Sequence, residues 1–342
     1  ATARGLARAW ARGGTVGGAS SAGPMHLEVW SFNLRTEFME RADGRNGWSN
    51  RRAGVAALLG QRRPALVCVQ EATERMVSFL SDHIGAGGEY EWVAKSRTPG
   101  RADESAGFLF DRSRLRLASH EVRWLAPPGV AAGARAWDAA CPRTFEVAVL
   151  DLLGPGGAAP RGAPPCLRVL NTHLDHIGVQ ARGCSGRLLA EAVAEGSRER
   201  PDCAQVLCGD FNSPKQYGNE VYQLLTAPAS AGGAGLRDAL RAAPPRGAAP
   251  VTSTIHKFQG LDFAAVRGDG TVDLQSAQAG AGGLPDALHI DWLLWRNASR
   301  GTKLWPVRSE VVLDTLQDGR WPSDHFPISA TFAVSADRRG LR

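Results

Sequence analysis

The segment that most constrains the fold of this chain is Val206–Pro214, which reads Val-Leu-Cys-Gly-Asp-Phe-Asn-Ser-Pro. Its first residues are typical of a buried strand, whereas Gly-Asp-Phe-Asn-Ser-Pro has the composition of a turn. Asp210 and Asn212 are therefore predicted to project together from the carboxyl end of a strand. In open α/β sheets, ligand sites lie at that end of the strands.

Four further segments combine an apolar run with unusual polar residues. Those polar residues are Gln70-Glu71, Asn171-Thr172-His173, Asp291 and Ser323-Asp324-His325. Taken singly, Glu71 is typical of an acid at a helix entry. Asp291 is harder to explain by structure alone, because a carboxylate within a strand is costly to bury unless a cation or a donor meets it. Together the five segments indicate one polar site.

In their order along the chain, these motifs resemble the endonuclease/exonuclease/phosphatase superfamily, the group related to deoxyribonuclease I. The matching motifs are Gln70-Glu71, Asn171-Thr172-His173-Leu174, Gly209-Asp210-Phe211-Asn212, Ile290-Asp291 and Ser323-Asp324-His325-Phe326-Pro327, preceded by Asn33 at the end of the first strand-like run. The resemblance extends from about Leu27 to Phe332. It implies an α/β fold, namely a four-layered α/β sandwich with two central mixed β-sheets packed face to face.

A narrower resemblance is carried by Asp43–Arg52, Trp137–Arg143, Asn171–His176 and Thr254–Gly260. These segments are similar to a bacterial-type subfamily of metal-dependent hydrolases. The resemblance implies the chemistry but leaves the natural substrate open.

Motifs spread from Asn33 to His325 must converge on one site, so we expect a single domain over residues 27–335. A flexible N-terminal segment, 1–26, is expected before it and a tail, 336–342, after it.

The N-terminal segment contains Arg4, Arg8 and Arg12 and no acid. That composition is typical of part of an organellar transit peptide, but a GC-rich coding bias gives the same residues, so localisation stays open.

The net charge is +6, which favours approach to an anionic phosphoester. Part of this charge comes from arginines near the two termini, and no basic block is interleaved with aromatic residues as in single-strand binding grooves.

No run reaches the roughly 18 apolar residues of a membrane span. We therefore expect a small-molecule or nucleic-acid phosphoester as partner, no stable membrane insertion, and no protein partner implied by the sequence.

Six cysteines in a chain of 342 residues do not indicate a disulfide scaffold, and none has Cys-x-x-Cys spacing. Cys68 and Cys208 lie in predicted interior strands. A bond from Cys166 to either Cys184 or Cys203 stays open.

Strand-like runs alternate with helical stretches, which indicates sheets covered by helices. The predicted strands are 27–33, 65–70, 106–111, 144–152, 167–173, 205–210, 289–295 and 327–334; the predicted helices are 50–61, 74–83 and 186–197. Three stretches rich in Ala, Gly and Pro, 153–165, 227–250 and 276–286, are predicted loops, the first of them a hairpin connection.

Oxygen-rich side chains in the matched motifs suit Mg²⁺ or Mn²⁺. Glu71 is the first expected metal ligand, with Asn33 and Asp324 as its companions. Asp210 is the expected carboxylate that deprotonates an attacking water. Asn212 is expected to donate to the same water or to a phosphoryl oxygen.

The resemblance implies that Asp291 orients His325, which would bind the phosphate as imidazolium or move a proton. It also implies that His173 is a second histidine on the phosphate and that Glu104 holds the ring of His173. Arg143, Asn171 and His256 are the expected substrate-binding residues. Without the resemblance, Glu104 would be interpreted as a solvated acid at a strand entry and His256 as a surface histidine.

The leading hypothesis is a divalent-metal-dependent phosphoester hydrolase, a phosphodiesterase that uses in-line attack of an activated water. The alternatives are a phosphomonoesterase acting on an inositol, sugar or lipid headgroup phosphate, and a dedicated DNA or RNA nuclease. A non-catalytic binding protein with the same fold is the alternative from a different class. The expected metal ligands and catalytic residues are all present in the sequence, which argues against a non-catalytic protein.

Overall fold

The computed structural model describes residues 25–154, 157, 164–215, 219–243, 253–263 and 289–336. The N-terminal arginine pattern, the tail 337–342 and the predicted loop 276–286 lie outside the described residues, as do parts of the loops 153–165 and 227–250.

Twelve strands occur in the described residues. In chain order they are β1 (Met25–Asn33), β2 (Leu66–Gln70), β3 (Tyr90–Val93), β4 (Phe108–Asp111), β5 (Leu115–Trp124), β6 (Thr144–Leu152), β7 (Cys166–His173), β8 (Ala204–Asp210), β9 (Arg237–Asp238), β10 (Asp291–Arg296), β11 (Thr302–Val311) and β12 (Ile328–Ala336). They form two sheets, with the orders β11-β12-β1-β2-β4-β3 and β5-β6-β7-β8-β10-β9. Both sheets are mixed, because the β1–β2 and β7–β8 pairs are parallel and the other pairs are antiparallel.

Four longer helices cover the sheets: α1 (Trp48–Arg62), α2 (Glu74–His83), α3 (Val179–Glu199) and α4 (Glu220–Thr226). Shorter helical turns occupy Glu37–Met39, Glu40–Asp43, Gly44–Asn46, Ala229–Ala231, Ala239–Ala242 and Gly260–Asp262. The start of α2 is encoded locally, because the Thr73 side chain accepts a hydrogen bond from Met76 N at 3.2 Å. This contact satisfies one of the free N–H groups of the first turn.

The alternation of side chains along the strands produces four layers. In β1, Val29 points between the sheets and packs in one core with Val169 and Val206 of the second sheet. Its neighbour Trp30 points outwards, into the cluster that α1 and α2 cover. A third cluster joins the outer face of the second sheet to α3 and α4. This arrangement confirms the predicted α/β sandwich with two mixed sheets packed face to face.

Asn171 ties the two sheets together beneath the edge where the motifs meet. Its Nδ2 donates to Val69 O at 2.9 Å and to Gly107 O at 2.8 Å, and its Oδ1 accepts from Gln70 Nε2 at 2.7 Å. Asn171 and Gln70 are both fully buried. The hydrogen bonds of the buried Asn171 amide fix the register of its surroundings.

A disulfide joins Cys166 and Cys203, at the start of β7 and just before β8, with a Cα–Cα distance of 4.8 Å. Cys184 is free, so the structure selects one of the two pairings that the sequence left open. The bond closes a loop with a sequence separation of 37 residues. A loop of this length corresponds to about 3–4 kcal/mol of stabilisation through the unfolded chain.

In the described part of the chain, no helix combines the length and the hydropathy needed to cross a bilayer.

Candidate active site

The polar motifs converge at one edge of the paired sheets because their strands end there in register. Asn33 lies opposite Gln70 in the β1–β2 pair, and His173 lies opposite Asp210 in the β7–β8 pair. Asp291 begins the antiparallel strand β10 opposite the same Asp210. The strand order therefore gathers residues that are far apart in the chain.

Unusual backbone conformations turn the chain at this edge. Glu71 and Asn212 have φ of 54° and 45°, in the left-handed region, which non-glycine residues rarely occupy. Gly209 has φ of 147°, and a Cβ there would lie 2.0 Å from Thr172 O. Only glycine fits at that position, so the Gly-Asp-Phe-Asn motif allows β8 to approach β7 closely just before Asp210.

Asn33 links the two central carboxylates. Its Nδ2 donates to Glu71 Oε1 at 3.1 Å and to Asp210 Oδ2 at 3.0 Å. The other oxygen of Glu71 accepts from Thr36 N at 3.1 Å. Burial alone would raise the pKa of Glu71, but Arg35, His325 and these donors outweigh it and lower the pKa. Glu71 is therefore held as a carboxylate.

Asp210 is in a different electrostatic environment. Burial and the charge of Asp291 raise the pKa of Asp210 to about 7, against the opposing effects of His325, the Asn212 N–H and the Asn33 amide. The Asn212 N–H donates to Asp210 Oδ1 at 2.8 Å. A carboxylate with a pKa near neutrality is suited to accept a proton in catalysis.

Asp291 and His325 form a buried pair. His325 Nδ1 lies 3.0 Å from Asp291 Oδ2, and His325 Nε2 lies 3.8 Å from Asp210 Oδ2. Burial alone would lower the pKa of His325, but Asp291 and Asp210 outweigh it and raise the pKa to about 10. The ring is therefore held as imidazolium, with Nε2 towards the centre of the site.

His173 has the opposite character. Its Nε2 lies 3.0 Å from Asn212 Nδ2 and 3.6 Å from Asp210 Oδ2. Burial, together with the positive charges of Arg143 and Arg97, lowers the pKa of His173 well below its usual range. The site thus contains one neutral and one protonated histidine.

At this edge, two groups of side chains bring potential metal-ligand atoms within 4.8 Å of one another: Glu71, His173 and Asp210, and Asp210, Asp291 and His325. The first group suits a divalent cation, because Glu71 and Asp210 are carboxylates held together only by the amide of Asn33. In the second group, the ion pair of His325 with Asp291 already uses the ring nitrogen Nδ1. Asp324 belongs to neither group; its carboxylate lies 3.6 Å from Arg35 Nη1, and burial together with the charge of Glu71 raises its pKa, against the opposing effects of His325 and Arg35.

A small pocket opens on the far side of His173. It has a volume of about 200 Å³, part of which is open to solvent, and it is lined by Arg97, Glu104, Ser105, Ala106, Arg143, Thr144 and His173. In this pocket, Arg143 Nε donates to Asp175 Oδ2 at 3.3 Å, and Arg143 Nη2 lies 2.8 Å from His176 Nδ1. The sequence-predicted residue Arg143 therefore lies next to His173.

Glu104 reaches the same pocket but has a different partner from the one expected. Arg97 Nη1 donates to Glu104 Oε2 at 2.6 Å, and within the described residues no hydrogen bond joins Glu104 to His173. The guanidinium of Arg97, seven positions earlier in the chain, takes the carboxylate instead. Burial and the charge of Glu71 raise the pKa of Glu104 to about 7.

Two expected substrate-binding residues lie behind the site. Asn171 is fully buried, and both ends of its amide are used in the bridge between the sheets. His256 is also fully buried, stacks on Phe326 at 3.9 Å between ring centroids, and donates its backbone N–H to Asp324 O at 2.7 Å. In the structure, the two residues therefore support the site from behind, and His256 is buried and not a surface histidine.

Sequence reasoning missed several residues that shape the site. Arg35 pairs with Asp43 and faces Asp324, although it comes only two positions after the predicted Asn33. Ser323 Oγ donates to Asn33 O at 2.6 Å, and Thr254 Oγ1 accepts from Asp291 N at 3.1 Å. Arg35 could have been predicted from the sequence, because it stands two positions after Asn33 at the end of the same strand. Thr254 begins the segment Thr254–Gly260 of the narrower resemblance, but its contact with Asp291 N was not predictable, because the two residues are far apart in the chain.

A two-sheet sandwich with carboxylates, amides and a protonated histidine at one edge defines a hydrolase of phosphoric esters. The model of the Endonuclease/Exonuclease/phosphatase family matches residues 30–325. The chain therefore belongs to this family. No curated protein matches it significantly.

Solved structures resemble the fold at low sequence identity. An endonuclease/exonuclease/phosphatase from Bacteroides vulgatus is 20% identical, with a TM-score of 0.69, over 91% of this chain and 100% of that one. A mannosyl-6-phosphatase from Bacteroides thetaiotaomicron is 20% identical, with a TM-score of 0.65, over 90% and 99% of the two chains. TDP2 from D. rerio, complexed with a single-strand DNA product, is 18% identical, with a TM-score of 0.57, over 90% and 98%.

Proposed function

We propose that this hydrolase is divalent-metal-dependent and cleaves small phosphodiesters by in-line attack of water. The observation that carries the proposal is the arrangement around Asp210. This carboxylate shares the Asn33 amide with Glu71 and lies 3.8 Å from the imidazolium nitrogen of His325. A proton acceptor, a cation site and a cationic donor therefore surround one position.

Glu71 is the ligand that we assign first to Mg²⁺ or Mn²⁺, with Asn33 and Asp324 beside it. The bound cation would offset negative charge on the phosphoryl oxygens. The chain's own cations are fewer than its acids here: Glu71, Asp210, Asp291 and Asp324 face Arg35, Arg51 and His325.

In the proposed step, Asp210 accepts a proton from water as the water oxygen bonds to phosphorus. The bond from phosphorus to the ester oxygen breaks, and its electron pair leaves with that oxygen, which takes a proton from solvent. His325 donates from Nε2 to a phosphoryl oxygen, while Asp291 holds Nδ1. Asn212, whose N–H fixes Asp210, presents its amide on the same side as His173.

A phosphomonoesterase is the second candidate. The mannosyl-6-phosphatase similar in fold acts, by its name, on a sugar phosphate.

A substrate panel with Mg²⁺ and with Mn²⁺ tests the proposal. Bis-p-nitrophenyl phosphate, p-nitrophenyl phosphate, plasmid DNA, RNA, sphingomyelin and inositol phosphates should be compared by kcat/KM. We expect the small diester to be cleaved, and Asp210→Asn to lower its rate by about 10²–10⁴-fold. The control Asp151→Asn, at a surface pair with Arg116, should retain activity. A wild-type protein that hydrolyses no ester with either metal would contradict the proposal.

A further inference from the structure

The segment Asp43–Arg52, which carries part of the narrower sequence resemblance, has no part in the proposed step. In the structure it forms the turn before α1 and the first residues of that helix. Its residue Arg51 is fully buried. A buried guanidinium usually pairs with a carboxylate, but the hydrogen bonds of Arg51 within the described residues all go to backbone carbonyl oxygens.

The guanidinium of Arg51 joins three segments of the chain. Nη1 donates to Leu34 O at 3.1 Å and to Pro322 O, Nη2 donates to Arg35 O at 3.1 Å, and Nε donates to Asn46 O. Leu34 and Arg35 directly follow β1, whereas Pro322 is in the loop before β12. The planar fork of arginine presents its donors in fixed directions, so one side chain holds these carbonyls at a set spacing.

The two loops that Arg51 joins carry residues on one flank of the site. Asn33 is the last residue of β1, and Asp324 lies in the loop before β12. Ser323 Oγ also joins these loops, because it donates to Asn33 O at 2.6 Å. A shift of one loop past the other would change the distance between Asn33 and Asp324, the two residues assigned beside Glu71 to the cation.

The other end of the segment acts on the same loop. Asp43 accepts from Arg35 Nε at 3.0 Å and from Arg35 Nη2 at 3.1 Å. Arg35 Nη1 in turn lies 3.6 Å from the carboxylate of Asp324. Asp43 therefore holds the side chain of Arg35, while Arg51 holds its backbone carbonyl.

Arg51 does not reach a substrate itself, because its side chain is enclosed. Its guanidinium carbon lies 5.6 Å from the ring centroid of Trp48 and 5.3 Å from that of Phe258, within the range of a cation–π contact. A lysine in this place would keep the positive charge but has no planar fork. Charge and geometry can therefore be separated by substitution.

We propose that Arg51 is a positioning residue of the active site: its guanidinium holds the loop that follows β1 against the loop that precedes β12, and so sets the spacing of Asn33 and Asp324 at the cation site. The inference rests on the proposed metal-dependent hydrolysis. It assigns a role to a residue that touches neither the cation nor the substrate.

Arg51→Lys tests the proposal, because it keeps the charge and removes the fork. Isothermal titration calorimetry with Mg²⁺ alone gives the dissociation constant, and hydrolysis of bis-p-nitrophenyl phosphate gives the Mg²⁺ concentration for half-maximal rate. We expect both values to rise about 10- to 100-fold, as for other groups that orient metal ligands. At saturating Mg²⁺, KM for the diester should change less than about threefold, since no substrate contact is removed.

Arg52→Lys is the matched control, since Arg52 is the next residue of the same helix, is exposed and lies over the ring of Phe79. It should keep the wild-type affinity for Mg²⁺. A purely structural role of Arg51 would lower the melting temperature of Arg51→Lys and leave the Mg²⁺ affinity of the folded protein unchanged. That result would overturn the inference.

Phe258→Leu is the second variant and provides the test if Arg51→Lys does not fold. It removes the ring beside the guanidinium and leaves the hydrogen bonds in place, so the dissociation constant for Mg²⁺ should rise about threefold. An unchanged constant would then overturn the inference. A wild type that binds no Mg²⁺ would contradict the proposed function and the inference together, whereas equal Mg²⁺ binding by wild type and Arg51→Lys contradicts the positioning role alone.

Discussion

Carboxylates in and around the site differ in the donors that meet them, and this difference determines their chemistry. Burial alone would raise the pKa of Asp175, but the N–H groups of Gly178, Ala140 and Ile177 and the charge of Arg143 lower it to about 2. Asp210 has fewer donors and faces Asp291, and its pKa lies at about 7. The first residue is a fixed charge in the scaffold, and the second can exchange a proton.

The Asp291–His325 pair gives a kinetic prediction. Asp291→Asn and His325→Ala should each lower kcat by about 10²-fold or more, and the double variant should lose little beyond the worse single variant. The reason is that residues acting as one unit are not additive, and the ring nitrogen Nδ1 depends on the carboxylate 3.0 Å away. A double-mutant cycle measures the coupling. Losses that multiply would show that the two residues act independently.

Asp175 gives a stability prediction. Since its pKa in the folded protein, about 2, is below its ordinary value, its stabilising contribution is present above about pH 4 and is lost as the pH falls towards 2. The shift corresponds to about 2 kcal/mol. Urea unfolding between pH 5 and pH 2 should show a loss of stability that is about 2 kcal/mol smaller in Asp175→Asn than in the wild type. An identical pH dependence in both proteins would contradict the account, and Asp151→Asn serves as the surface control.

At the scale of elements, central strands were predictable and edge strands were not. The runs 144–152, 167–173 and 205–210 agree with β6, β7 and β8 to within one residue. The missed strands β5 and β11 lie at sheet edges, where half-exposed side chains weaken the apolar pattern. Strands β6 and β7, which flank the hairpin connection predicted over 153–165, pair antiparallel.

Helix α3 shows why local signals were insufficient. It begins at Val179, seven residues before the predicted start, and its N-cap residue Gly178 provides no side-chain bond. Asp138, from a distant loop, accepts from Gln180 N at 3.1 Å and from Ala181 N at 2.7 Å. A cap supplied by tertiary structure leaves no pattern in the helix's own sequence.

The residues of the site were predictable where strand ends bring them together, and their partners were not predictable where side-chain orientation decides the contact. Residues in the matched motifs at strand ends, such as Asp210 and Asp291, do meet. Partners chosen by side-chain orientation, such as Arg97 for Glu104, were not predictable, because sequence order does not specify which of several nearby charges a carboxylate faces.

The bridge between the sheets gives a prediction at this scale. Asn171→Ala would remove three buried hydrogen bonds, those with Gln70 Nε2, Val69 O and Gly107 O, which should cost about 3 kcal/mol of unfolding free energy. Chemical denaturation measures this cost. Asn50→Ala, at an exposed asparagine, should change stability by less than about 0.5 kcal/mol. A stable Asn171→Ala protein with a raised KM would instead restore Asn171 as a substrate-binding residue.

At the scale of the whole molecule, the positive charge is dispersed. The net charge is +6, but arginines such as Arg62, Arg97 and Arg123 each pair with an acid in the described structure. A basic track along a polynucleotide would need unpaired cations in succession. The charge distribution therefore favours small substrates.

DNA binding should accordingly be weak and sensitive to salt. We expect the plot of log affinity against log salt to correspond to fewer than about six phosphate contacts. Fluorescence anisotropy with a DNA oligomer from 50 to 200 mM salt measures this slope. Tight binding that survives 200 mM salt, with a steeper slope, would make a dedicated nuclease the better assignment.

The most direct test of the central claim is metal-dependent hydrolysis of bis-p-nitrophenyl phosphate by wild type and Glu71→Gln. After exhaustive treatment with EDTA, the wild type should lose its activity and regain it with Mg²⁺ or Mn²⁺. Glu71→Gln should need far more metal for the same rate, because one of the carboxylates next to Asn33 has become neutral. Full wild-type activity after chelation, or an unchanged metal requirement in Glu71→Gln, would contradict the account.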